Sequence, residues 1–207
     1  MAYNPKDFFY QKAKKENYAA RSAFKLEEIQ SKFKIIRPGM KILDLGAAPG
    51  SWSQFASRII GPKGKVLGVD LSPIKISLSN ATFIQADLRS LDLLDVFKKS
   101  GVEAPFDCVL SDMAPKTTGI RVTDQTRSLE LCELALETAQ KYLRSRGCFV
   151  AKLFHSEGFE LFRDQVKQNF VKCEVLRPKS TRKESKEIFL IGIDFKGHFN
   201  PALTSPG

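Results

Sequence analysis

Histidine, tryptophan and cysteine are scarce in this chain: two, one and four respectively among 207 residues. His155 and His198 stand far apart, and Cys108, Cys132, Cys148 and Cys173 contain no Cys-x-x-Cys pair. Neither pattern has zinc-ligand spacing, so no metal site is expected. Three of the cysteines sit inside apolar runs, where the thiol acts as a small core hydrophobe, and reduced thiols point to a cytoplasmic protein. No run of about 18 apolar residues is present to span a membrane, and residues 1–30 hold no apolar signal-peptide core. Also missing is the full G-x-G-x-x-G of a dinucleotide site: after Gly46, Ala48 and Ser51 occupy the other two glycine positions.

What is plentiful is apolar residues, at 43%, and positive charge, with 33 Lys+Arg against 23 Asp+Glu for a net +10. The first excludes a disordered chain and suits one core-forming domain. The second favours a polyanionic partner but says nothing of fold. Its distribution is uneven. Residues 1–41 carry ten basic and four acidic residues, and residues 177–187 carry five and two, so the remaining chain is nearly neutral. By itself such clustering also fits solvated ends that aid solubility. Phe8, Phe9, Tyr10 and Tyr18, interleaved with lysines, suit base stacking or the anchoring of the N-terminal segment equally well.

From Met40 onward, short β-rich runs alternate with helical stretches. Strands are predicted at 41–45, 65–70, 82–86, 106–110, 148–153, 173–176 and 188–193, and helices at 51–60, 91–99, 126–143 and 158–170. An amphipathic helix is predicted at 17–33, with Ser22, Leu26, Ile29 and Phe33 on one face and Arg21, Lys25, Glu28 and Lys32 on another. Alternating strands and helices imply βαβ units and an open, mostly parallel α/β sheet with helices on both faces. The stretch between Leu176 and Glu187 is too short and polar for a crossover helix, so the last strand is expected antiparallel, with the basic loop at the hairpin tip. Residues 1–197 are read as one domain with 1–40 as a basic helical extension, and 198–207 as a mobile tail.

Ile42-Leu-Asp-Leu-Gly-Ala-Ala-Pro-Gly-Ser-Trp reads as strand, tight turn and helix start, where a doubly wound sheet places its ligand crevice. Gly46 and Gly50 allow close backbone approach, and Pro49 stiffens the turn. Asp44, two residues before Gly46, suits a cation better than a pyrophosphate. Asp70 ends the second strand, where a carboxylate can accept ribose hydroxyls. Asp87 and Asp112 follow the third and fourth. Each alone could simply cap a helix; together with the turn they describe a pocket for S-adenosylmethionine.

Asp44-Leu-Gly-Ala-Ala-Pro-Gly-Ser-Trp-Ser-Gln, Ser111-Asp-Met-Ala-Pro and Tyr18-Ala-Ala-Arg-Ser-Ala-Phe-Lys-Leu closely resemble the FtsJ/RrmJ family of RNA ribose-2′-O-methyltransferases, over about Asp7 to Lys196. The resemblance implies a Rossmann-like class I methyltransferase fold with a seven-stranded sheet and antiparallel last strand. It also implies a catalytic tetrad of Lys25, Asp112, Lys152 and Glu187. Cofactor positions implied by family and turn are Gly46, Pro49, Gly50, Trp52, Asp70, Asp87 and Asp112. Ser51, Ala151, Lys186 and Lys116-Thr-Thr-Gly depart from the common family pattern without removing a tetrad group.

The nearest type in that family methylates an A-loop uridine of large-subunit ribosomal RNA, which implies ribosomal RNA or the large subunit as partner and a role in ribosome maturation. A transfer-RNA anticodon-loop enzyme of the same family and a non-catalytic assembly factor remain open, and a monomer is the default. Lys152 is the expected base. A free lysine titrates near ~10.4. Lys25 and a sulfonium would disfavour its charge, while Asp112 and Glu187 oppose that shift. A neutral Lys152 would accept the hydroxyl proton, and a charged one would steer the hydroxyl and stabilise developing alkoxide.

Overall fold

The computed structural model describes residues 8–90, 93–154, 156–182 and 185–199. Seven strands form one sheet: β1 (Lys41–Leu45), β2 (Lys65–Asp70), β3 (Ala81–Gln85), β4 (Phe106–Ser111), β5 (Leu143–Phe154), β6 (Phe170–Leu176) and β7 (Glu187–Phe195). Their order is β3-β2-β1-β4-β5-β7-β6. The first five strands in that order pair parallel, whereas β7 is antiparallel to both β5 and β6. The polar connection from Leu176 to Glu187 therefore joins two antiparallel neighbours, as its length demands.

Alternation along the strands separates two cores. Ile42, Val66, Cys108, Leu110, Val150, Phe189 and Ile191 face α2 (Ala23–Phe33) and α3 (Ser51–Ile60). Their neighbours Leu43, Leu67, Val109, Phe149, Ala151 and Leu190 face α4 (Leu93–Ser100), α5 (Arg121–Tyr142) and α6 (Phe159–Asn169). Burial on both faces is why these strands read as continuous apolar runs. Among the described residues no helix is long and apolar enough to cross a membrane, and the four cysteines are free thiols.

The three largest departures from expectation are at the starts of elements. The helix predicted over 17–33 starts only at Ala23. Asn17 takes a left-handed φ of 57°, and Tyr18 N–H bonds back to the Ala13 carbonyl at 2.9 Å, closing α1 (Phe8–Lys15), a helix the periodicity did not reveal. Next, α5 begins at Arg121 instead of Thr126. The Asp124 carboxylate accepts the N–H groups of Thr118 and Gly119 at 2.7 and 3.2 Å, which organises the polar Arg-Val-Thr-Asp as a first turn. Finally, β5 begins at Leu143 rather than Cys148. Arg146 lies at φ 61° and the β4–β5 register shifts between Phe106 and Cys108, so the early part of the strand lacks the apolar pattern that marks the rest.

The N-terminal aromatics differ in their surroundings. Phe9 and Tyr18 pack on Phe24, with ring centroids 5.7 and 5.8 Å away, and anchor the segment, while Phe8 is exposed. The expected mobile tail is described only through Phe199, which packs against the core instead of lying free. Its remainder, 200–207, lies outside the described residues, as do 1–7, His155, Lys183 and Glu184.

Candidate active site

The turn after β1 is shaped by what glycine leaves out. Gly46 sits at φ 74°, and a Cβ there would meet the Met113 backbone at 2.8 Å, so glycine lets the turn close onto the chain just after β4. Its N–H and that of Ala47 both bond the Val69 carbonyl, at 2.9 and 3.2 Å. Gly50, at φ 109°, then admits α3. Pro49 is exposed within this turn.

Asp70, at the end of β2, holds the turn from outside. Its Oδ2 accepts Ala48 N–H at 2.9 Å and its Oδ1 accepts Ser72 N–H at 2.7 Å, which leaves lone pairs on both oxygens for ribose hydroxyls. Asp87 follows β3 and is exposed, and its carboxylate accepts the Arg89 N–H at 3.0 Å. Asp112 follows β4, its N–H bonded to the Leu45 carbonyl at 3.2 Å.

Asp44 lies beneath the turn and is fully buried. One oxygen accepts the Ser53 hydroxyl at 2.6 Å, and the other has no hydrogen-bond partner among the described residues. Burial pushes its pKa up to about 7; the Ser53 bond opposes the rise, and the charges of Asp112 and Asp70 add to it. The acid expected to suit a cationic ligand is thus buried beneath the turn. An unpartnered buried carboxylate oxygen near two further carboxylates fits a ligand carrying ammonium and sulfonium charge.

Trp52 packs inward at the start of α3. Its side chain is 2% exposed, its indole N–H donates to the Ser22 carbonyl at 2.9 Å, and its ring lies 5.7 Å from that of Phe189. The side chain therefore joins α3 to the segment before α2. What Trp52 retains for a ligand is its backbone N–H in the first turn of α3, where anions are favoured.

Beyond the turn, topology gathers the four tetrad positions. In the β5–β7 ladder Lys152 opposes Phe189 and Phe154 opposes Glu187. Lys152 and Glu187 are therefore diagonal neighbours on one face of the sheet. That face also packs α2, which carries Lys25. Parallel pairing of Ser111 with Ala151 places the next residues, Asp112 and Lys152, side by side.

Lys25 Nζ lies 2.6 Å from Glu187 Oε2. Lys152 Nζ lies 2.9 Å from Asp112 Oδ1, off hydrogen-bond direction, and donates instead to the Asp112 carbonyl oxygen at 2.6 Å. Lys152 is 6% exposed. Burial alone would raise the Glu187 pKa, but the charge and hydrogen bond of Lys25, aided by Lys152, hold its carboxyl below the usual value. Two cations and two carboxylates interleave at the mouth of the strand ends. An ammonium offers three donors, so Lys152 keeps donor capacity for an incoming hydroxyl.

Sequence reasoning missed the groups that hold this assembly together. Ser22 Oγ and Ser51 Oγ are 2.6 Å apart, and Ala19 N–H donates to the Gln54 side chain at 2.7 Å. Glu28 accepts the N–H groups of Lys179 and Ser180 at 2.7 and 2.8 Å, and Arg21 donates to the Ser180 carbonyl. The only signal was the shared helical stripe of Arg21, Lys25 and Glu28, which reads as a solvated face until the hairpin folds over it.

Comparison with known proteins matches the FtsJ-like methyltransferase model over residues 18–195. The ribosomal RNA large subunit methyltransferase E of Bdellovibrio bacteriovorus is 62% identical over 196 residues, covering 95% of this chain and 100% of that protein. The protein of the same name from Syntrophobacter fumaroxidans is 48% identical, covering 93% and 98%. Among solved structures, a Plasmodium falciparum chain described as a ribosomal RNA methyltransferase aligns with TM-score 0.75 at 27% identity, covering 87% of this chain and all of that one. Aeropyrum pernix fibrillarin with bound S-adenosyl-L-methionine aligns with TM-score 0.59 at 17% identity over 83% of this chain and 76% of its own, a likeness of fold.

Proposed function

The chain belongs to the FtsJ-like methyltransferase family, and from that premise we propose that it methylates the ribose 2′-hydroxyl of a uridine in the A-loop of large-subunit ribosomal RNA. The methyl donor is S-adenosylmethionine, which when bound supplies an electrophilic methyl group on a sulfonium. Gly46, Pro49, Gly50, the Trp52 backbone, Asp70, Asp87 and Asp112 would hold it, with Asp70 taking the ribose hydroxyls.

The observation that carries the chemistry is the Lys152–Asp112 pair at 2.9 Å, set beside the Lys25–Glu187 pair at 2.6 Å on one sheet face. Asp112 and its carbonyl fix Lys152 Nζ. As a neutral amine it would take up the 2′-hydroxyl proton while the oxygen bonds the methyl carbon and the methyl–sulfur bond breaks. As an ammonium it would steer the hydroxyl, whose proton would pass to water. Lys25 and Glu187 fix the nucleotide on the other side. Much of the acceleration then follows from alignment. Residues 1–197 act as one unit and as a monomer, the basic segment before Met40 and the loop at 177–187 grip RNA, and the protein works in the cytoplasm during ribosome maturation.

The test is to incubate the protein and labelled S-adenosylmethionine with large ribosomal subunits, free ribosomal RNA and transfer RNA, then map ribose methylation by mass spectrometry. Label at one A-loop ribose of the large-subunit RNA supports the reading. Label confined to transfer RNA, or none, overturns it.

A further inference from the structure

Glu28 lies three residues beyond Lys25 in α2, on the side of the helix turned toward the β6–β7 hairpin. Its two oxygens accept consecutive backbone N–H groups from Lys179 and Ser180, 151 and 152 residues away, at 2.7 and 2.8 Å. Carboxylate-to-amide bonds of this kind are charge-assisted and directional. Ser180 is fully buried, and its carbonyl is taken by Arg21 from the start of the same stripe. Both backbone groups of one hairpin residue are thus held by side chains that bracket Lys25.

The contact joins the two supports of the Lys25–Glu187 pair. Lys25 rides on α2, and Glu187 opens β7, whose Phe189 pairs with Leu176 at the end of β6, three residues before Lys179. The opposite flank of the α2 segment is already fixed to α3 through Trp52 and Ser51. Without Glu28, the hairpin side of α2 loses both carboxylate–amide bonds and is left with the Arg21–Ser180 contact, which would let Lys25 shift relative to the hairpin. A displacement near 1 Å at such a site can cost roughly a hundredfold in rate.

We propose that Glu28 is a positioning residue for methyl transfer, its carboxylate clamping the Lys179–Ser180 backbone so that the helix bearing Lys25 and the hairpin bearing Glu187 stay in register. This rests on the reading in which Lys25 and Glu187 serve the transfer. Its test is a double-mutant cycle. Glu28→Ala, Glu28→Gln, Glu187→Gln and the combination of Glu28→Ala with Glu187→Gln are compared in single-turnover methylation of large ribosomal subunits, with incubations long enough to read residual rates. S-adenosylmethionine affinity is measured by calorimetry in parallel.

Glu28→Ala should lower the rate roughly tenfold to a hundredfold, leave cofactor affinity and KM for the subunits within about twofold, and add less than about twofold in the Glu187→Gln background. Glu28→Gln, which keeps an accepting oxygen, should recover part of the rate and provides the folded comparison if the alanine variant is unstable. Equal losses in both backgrounds, a loss confined to KM, or a fully active Glu28→Gln alongside unaltered Glu28→Ala kinetics would overturn the proposal. Wild-type rates for Glu187→Gln would instead remove the reading on which it rests, and the proposal with it.

Discussion

The indole N–H of Trp52 and the backbone N–H of Lys25 share one acceptor, the Ser22 carbonyl, at 2.9 and 3.0 Å. The first turn of α3 and the first turn of α2, the helix bearing Lys25, are thereby fastened at a single atom. In the proposed reaction this links the element that would meet the cofactor to the one that would meet the RNA.

Trp52→Phe therefore separates packing from ligand contact. It should cost about 1 kcal/mol of stability for the lost hydrogen bond, read as a shift in urea midpoint, and leave S-adenosylmethionine affinity within about threefold by calorimetry. A tenfold or larger loss of affinity would mean that the ring lines the pocket.

Gly46→Ala should damage stability and site together. The added methyl meets backbone of Met113 at 2.8 Å, and the φ of 74° is itself unfavourable for alanine. Forced apart, the turn and Asp112 lose their mutual placement. A loss of about 3 kcal/mol or more, with cofactor binding weakened by over tenfold, is the expected outcome. Unchanged melting and binding would contradict this account of the turn.

Asp44 gives stability a pH dependence. Its folded pKa of about 7 lies above its ordinary 3.8, so the folded state holds this proton more tightly. The contribution is complete below pH 3.8 and is lost as pH rises through about 7. Each pKa unit is worth about 1.4 kcal/mol, so the ionised, half-partnered carboxylate carries a penalty of several kcal/mol. Asp44→Asn keeps an acceptor for Ser53 and removes the charge. In the cofactor-free protein it should resemble wild type near pH 4 and exceed it near pH 8 in urea midpoint. An equal difference at both pH values would count against the assignment.

Lys179→Ala should weaken RNA binding without touching the clamp, because Glu28 bonds the backbone of that residue and its side chain is exposed. Affinity for ribosomal RNA, measured against salt, should lose about 0.7 from the slope of log K against log salt if one phosphate contact disappears. An unchanged slope would remove this lysine from the RNA face.

Much of the fold was legible because the parallel strands, buried on both faces, had to be continuous apolar runs. The polar gap from Arg177 to Lys186 likewise left only a hairpin. The strand-end acids followed from the glycine turn. The role of Trp52 was not legible, since a tryptophan at a helix start looks the same facing a ligand or facing Ser22. Glu28 was hidden for a related reason. Its partners lie about 150 residues away, and i, i+3 spacing beside Lys25 resembles any solvated stripe. The early start of α5 was masked by Arg-Val-Thr-Asp, whose helical state depends on a side-chain bond that composition does not announce.

The central claim is that Lys152, fixed by Asp112, acts on the 2′-hydroxyl and does not serve to bind the cofactor. It is tested most directly by Lys152→Ala, comparing calorimetric S-adenosylmethionine affinity with mass-spectrometric mapping of ribose methylation on large ribosomal subunits. The account predicts affinity within about threefold of wild type and no methyl group at the mapped ribose. Methylation at a near wild-type rate by the folded variant would contradict it.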